Sequence, residues 1–66
     1  MTITLNGDSF ELDRPLTVTA LLAALDIDPR RVAVERNLNV VKRAAFETTE
    51  VTEGDEIEIV NFVGGG

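Results

Sequence analysis

Val18, Leu21, Leu22 and Leu25 fall at the i, i+3, i+4, i+7 spacing that places apolar side chains on one face of a helix. On both sides of this stripe, apolar and polar residues alternate with a period of two, the mark of half-buried strands. A helix with one apolar face must bury it against another layer, so the stripe has to lie on a sheet. At 66 residues the chain has room for one small core, and a domain of this size buries only about 60% of the surface its unfolded chain exposes.

Ile3 and Leu5 alternate with Thr2 and Thr4, and Phe10 and Leu12 alternate with Ser9, Glu11 and Asp13, which predicts a hairpin. If Leu5 sits opposite Phe10, Asn6 faces Ser9 and Gly7-Asp8 forms a two-residue loop, with glycine at the first loop position of a primed turn. Pro15 ends the second strand, and Thr17 or Thr19 caps the helix. The helix ends near Asp26, because Pro29 disfavours helical geometry at Asp28. Arg31 to Arg36 reads as a third strand with Val32 and Val34 on one face, Asn37-Leu38-Asn39 as a turn, and Val40-Val41-Lys42 as a short fourth strand. Residues 44–51 are ambiguous between a helical turn and a loop, with Phe46 and Val51 dipping into the core. Glu53-Gly54-Asp55 is a turn, and Glu56 to Phe62 is the last strand, with Ile57 and Ile59 inward and Glu56 and Glu58 outward. The resulting order is β-β-α-β-β-β. An α+β chain with a mixed sheet of about five strands wrapped on one helix is the β-grasp, or ubiquitin-like, arrangement.

The composition removes whole classes of function. With no cysteine and no histidine, the chain has no thiol nucleophile, no thiolate-bound zinc and no side chain suited to proton transfer at neutral pH. An enzyme is not expected. A formal charge of −6 repels phosphate backbones and anionic lipid, so neither nucleic acid nor membrane is an expected partner; the acidity serves solubility first, and steering toward a basic partner surface is the alternative. No apolar run reaches the roughly 18 residues of a membrane helix. Met1 to Leu5 already alternates like a strand and lacks the basic start of a secretory signal, which points to the cytoplasm. The Asp26/Asp28 and Glu53/Asp55/Glu56 groups lack the loop spacing of a hard-cation site, and turn or capping roles suit them better. The arginines are solvated, with Arg36 and Arg43 as candidates to meet a partner carboxylate.

The last strand runs into Val63 and then Gly64, Gly65 and Gly66. At average glycine usage, three terminal glycines arise by chance roughly 3 times in 10,000. The expected division is a folded domain over residues 1–63 and a flexible glycine-only tail over 64–66. Val60 and Phe62 have the opposite parity to Ile57 and Ile59. With Val63 they would form an apolar patch for a partner beside the tail, unless a bulge returns both side chains to the core.

Taken together, the Asn6-Gly7 turn, Thr17-Val18 with Leu21-Leu22, Val32 to Asn37, Arg43, Glu53 to Ile59 and Phe62 to Gly66 resemble the ThiS-type sulfur carriers of thiamin biosynthesis. Leu38, Lys42 and Phe46 depart from that pattern, where glycine, proline and tryptophan are common. The resemblance implies that the Gly66 carboxylate is adenylated by a ubiquitin-activating-like enzyme of the ThiF type, with Gly64 and Gly65 threaded into its active site. It implies that ATP is consumed by that partner and that no cofactor is bound by the chain itself. A sulfur donor such as a cysteine desulfurase then gives a thiocarboxylate that serves a ThiG-type thiazole synthase. A molybdopterin-type or tRNA-thiolation carrier would use the same tail chemistry, and a ubiquitin-like modifier would instead join its tail to lysines. Lys42 is the single lysine, which argues against chain-forming modification.

Overall fold

A computed structural model of the chain describes residues 1–62. Seven strands and one α-helix follow in the order β1 (Thr2–Leu5), β2 (Asp8–Glu11), β3 (Leu16–Thr17), α1 (Val18–Ala24), β4 (Val32–Arg36), β5 (Asn39–Val41), β6 (Glu50–Val51) and β7 (Glu56–Asn61). Short 3-10 turns at Pro29–Arg31 and Arg43–Ala45 flank the β4–β5 hairpin. Five strands form one sheet in the order β2-β1-β7-β4-β5. Strands β1 and β7 are parallel and the other neighbours antiparallel. This is the β-grasp arrangement, with the last strand at the centre.

The apolar periodicities become its core. Ile3, Val32, Val34 and Ile57 from the sheet meet Val18, Leu21 and Leu22 from α1, and Leu12, Phe46 and Val51 close the ends. With seven residues, α1 is too short to be stable alone, so packing holds it. The Thr17 hydroxyl accepts a hydrogen bond from the Ala20 amide at 3.1 Å, so of the two capping candidates Thr17 is the cap. The two preceding orphan amides are met by a distant segment: Val18 donates to the Thr49 carbonyl at 2.9 Å and Thr19 to that of Phe46 at 3.0 Å. Residues 43–51 therefore serve as the lid on the helix N-terminus. Strand β6 pairs with β3, two residues against two. These strands are too short to show an alternation, so the six-element order read from the sequence omits them.

Two local expectations change. The first hairpin pairs Ile3 with Phe10 and Leu5 with Asp8, so the loop is Asn6-Gly7 and not Gly7-Asp8. Both loop residues have positive φ, 49° and 87°, as a type I′ turn demands, and Asn-Gly suits that turn best. The shift is by two residues, so every side chain keeps the face it was assigned. The helix ends where expected but for another reason. Asp26 adopts a left-handed φ of 59°, its amide bonds the Ala23 carbonyl at 3.1 Å, and Ile27 bonds that of Leu22 at 2.9 Å. This is a Schellman closure. Pro29 instead opens the following 3-10 turn, which Asp28 caps. The hydrogen bond from the Arg30 side chain holds the Asp28 carboxyl down at about 2.

The β4–β5 loop is Asn37-Leu38, again with two positive φ values, 52° and 71°. Leu38 is 84% exposed, so its side chain gains little that offsets the left-handed backbone. Leu38→Gly is expected to stabilise the fold by about 0.5–1 kcal/mol, the left-handed cost less the added freedom of glycine when unfolded. Urea unfolding should show a higher midpoint at an unchanged slope.

Candidate functional site: the outward end of the central strand

Strand β7 carries the chain toward its glycine tail, and its placement is set by both neighbours. On one side it pairs with β4 from Arg36↔Ile57 to Val32↔Asn61, and one further bond runs from the Phe62 amide to the Arg31 carbonyl at 2.9 Å. On the other side, β1 pairs only as far as Leu5↔Ile57. The Asn6 amide then donates to the Ile57 carbonyl at 2.9 Å. Past that point the Asn6 side chain replaces the missing strand: Ile59 N–H donates to Asn6 Oδ1 at 2.7 Å, and Asn6 Nδ2 donates to the Ile59 carbonyl at 3.2 Å.

The start of β7 is held by an ionic knot. Asp55 is buried, and its Oδ2 accepts from the Thr52 amide at 2.8 Å and from Arg36 Nε at 2.9 Å. Its Oδ1 accepts from Asn37 Nδ2 at 3.1 Å, while Asn37 Oδ1 accepts from the Glu56 amide at 2.9 Å. Burial pushes the Asp55 carboxyl up, but the Thr52 amide, Asn37 and Arg36 together outweigh it and hold the group below its ordinary value. Arg36 is thus engaged inside the fold. Arg43 Nη2 donates to the Arg30 carbonyl at 3.2 Å. Asp28 and Asp55 both take the capping and turn roles expected of them, and no group of three metal-ligating side chains occurs among the described residues.

Of the expected site residues, Val60 and Phe62 lie within the described part, 53% and 52% exposed. The strand runs regularly to Asn61, with no bulge to turn them inward. Val63, Gly64, Gly65 and Gly66 lie outside the described residues. On the same outer face Val60 sits opposite Ala33, and Glu58 sits directly opposite Glu35 with Glu56 two residues along. The outer face therefore changes from acidic at the start of β7 to apolar at its end. Like charges facing each other across a ladder cost stability. The clamp residues Asn6 and Asp55 carry no catalytic signature; the Asn-Gly pair was the one signal for the first, and the second depends on tertiary contacts.

Residues 3–66 match the ThiS family. The chain belongs to that family. A crystal structure of the thiamine biosynthesis protein ThiS from Geobacter metallireducens superposes with a TM-score of 0.88 at 42% identity, each chain covered completely. The sulfur carrier protein ThiS of Bacillus subtilis is 40% identical over 50 residues, 76% of either chain. A thiazole synthase from Paramagnetospirillum magneticum is 44% identical over the whole of this chain. The chain spans 20% of the length of that synthase. No helix among the described residues is long and apolar enough to cross a membrane.

The lowered Asp55 carboxyl has a signed consequence. Its ionised form is favoured by folding, so its contribution is fully present above the unfolded value of about 3.9 and is lost as pH falls through the lower native value. Asp55→Asn is expected to cost about 2 kcal/mol at neutral pH. The gap between wild type and variant should narrow below about pH 4 in denaturant titrations run across pH.

Proposed function

We propose that this chain is a sulfur carrier of thiamin biosynthesis, a co-substrate that its partners consume and reload rather than a catalyst, acting in the cytoplasm. The observation that carries the reading is the end-to-end match to ThiS proteins, whose fold here aims a central strand toward a run of glycines. The names of the relatives favour the thiamin route over the molybdopterin and tRNA-thiolation carriers. They also favour a thiazole synthase as the acceptor of the sulfur.

The chemistry follows from the terminal group. A main-chain carboxyl has a pKa of roughly 3.3–3.7, so near pH 7 it is an anion and a poor electrophile. A carboxylate oxygen of Gly66 attacks the α-phosphorus of ATP in an activating enzyme, and pyrophosphate leaves. The terminal sulfur of a donor persulfide then attacks the acyl carbon and the acyl–oxygen bond to AMP breaks, giving an acyl disulfide. A second thiol of the partner attacks the donor-side sulfur, the S–S bond breaks with formation of a partner disulfide, and Gly66 retains a C(=O)S⁻ group. The sulfur is held by the main chain, which suits a protein with no cysteine. Glycine has no Cβ, so Gly65 and Gly66 allow the nucleotide and the acyl carbon to approach closely. Ordering three tail residues costs on the order of 3–6 kcal/mol, with glycine at the upper end. Contacts to the body must offset that cost, and Val60 and Phe62 are the exposed apolar groups beside the tail. The acidic half of the face would steer the approach to a basic surface.

Incubation with the activating enzyme and ATP, followed by pyrophosphate release, tests the reading. Deleting Gly65 and Gly66 should lower the rate by on the order of 100-fold or more, since misplacing the reacting group by even an ångström can cost that much. A truncated chain activated as well as the full one would rule the carrier out. Because Phe62 is half exposed, Phe62→Ala should leave the unfolding midpoint within about 0.5 kcal/mol of wild type. The same change should weaken the complex with the activating enzyme about tenfold. Wild-type affinity with lost stability would instead assign Phe62 a packing role.

A further inference from the structure

We infer that the partner that receives the tail adds an extended strand to the β1 side of β7 at Asn61, so that the carrier's sheet continues into its partner. The inference rests on the carrier reading and adds the mode of docking to it.

The hydrogen-bond register leaves one rung open. Residues of β7 alternate in the side to which their N–H and C=O point. Phe62 donates to Arg31, and the Glu56 carbonyl accepts from Asn37 at the other end of the ladder, so the even-numbered residues 56 to 62 face β4. Ile57, Ile59 and Asn61 face the β1 side. There Ile57 is met by the Asn6 backbone and Ile59 by the Asn6 side chain at both its N–H and its carbonyl. The chain then turns away at Gly7 into β2. No described residue pairs with Asn61 on that side. Its main-chain donor and acceptor form an exposed edge, with exposed Val60 and Phe62 on either side. An edge of this kind is a template for a further strand, whose main-chain bonds would give affinity and whose side chains would read Val60 and Phe62.

Length selects the occupant. Four residues, 63–66, separate Phe62 from the group to be activated, and at full extension they span at most about 13–14 Å. An enzyme that closes around Gly66 within that reach must lie against the body at the end of β7. Among the described residues of β7, Asn61 is the first open rung it meets.

The test is amide hydrogen exchange of the full-length chain, alone and bound to its activating enzyme with a non-hydrolysable ATP analogue, together with pyrophosphate release for the pair. In the free chain the Ile59 amide should be protected and the Asn61 amide should exchange near the unprotected rate. In the complex Asn61 should slow by at least about tenfold while Ile59 stays as it was. Asn61→Pro removes the free N–H without breaking a bond to β4. It should fold with an unchanged thermal midpoint and raise the KM for the carrier about tenfold with little change in kcat. Pyrophosphate release from wild type while Asn61 stays unprotected in the complex overturns the inference and leaves the carrier reading standing. So does an Asn61 amide already as protected as Ile59 in the free chain. No pyrophosphate release from wild type removes the carrier reading and this inference with it.

Discussion

The hydrogen bonding of β7 at the centre of the sheet is the constraint on which the other features rest. This strand is the last in sequence and lies between β1, the first, and β4, so its pairing joins the two hairpins into one sheet. Ile3 from the first hairpin and Val32 and Val34 from the second share one core with Val18, Leu21 and Leu22 of α1. The loop asparagines of both hairpins add side-chain bonds to β7, Asn6 at Ile59 and Asn37 at Glu56. Both have the positive φ that their turns require. The same residue type thus satisfies the turn and grips the strand. Asp55 ties the start of β7 to Arg36 and Thr52, and the tail leaves from a strand fixed at several points.

Such fixing has a thermodynamic purpose in a tail-presenting protein. A strand that frayed would add to the entropy lost when a partner orders it, at roughly 1–2 kcal/mol per residue. Ladder bonds as far as Phe62 avoid that loss along the described part of the strand. The acidic pair Glu35 and Glu58 works against stability on the outer face. The same charge serves solubility, or a basic surface that comes to meet it.

Most of the fold was legible because the strongest signals were periodic. The stripe Val18, Leu21, Leu22 and Leu25 and the alternations of Ile3, Val32, Val34 and Ile57 marked helix, strands and faces, and the exposure of Val60 and Phe62 follows from the same parity. What the sequence left hidden depends on partners far along the chain. Leu16–Thr17 and Glu50–Val51 are strands only because each has the other. Residues 43–51 are ordered by the carbonyls they give to the start of α1. The first loop was misplaced by giving weight to Leu5 opposite Phe10, where the preference of Asn-Gly for two positive φ values decides the register. Val63 and the glycines, the core of the candidate site, rest on residue chemistry and on the family to which the chain belongs.

The central claim is that reactivity resides in the main-chain carboxyl of Gly66 and that the folded body presents it. Intact-mass analysis of the protein taken from its native host tests this most directly. The account predicts a chain ending at Gly66 with a fraction heavier by the exchange of one oxygen for one sulfur, and that fraction should vanish when the activating enzyme is removed. Chains extended beyond Gly66 and never trimmed, or adducts joined through an isopeptide bond with no sulfur-bearing species, would contradict it.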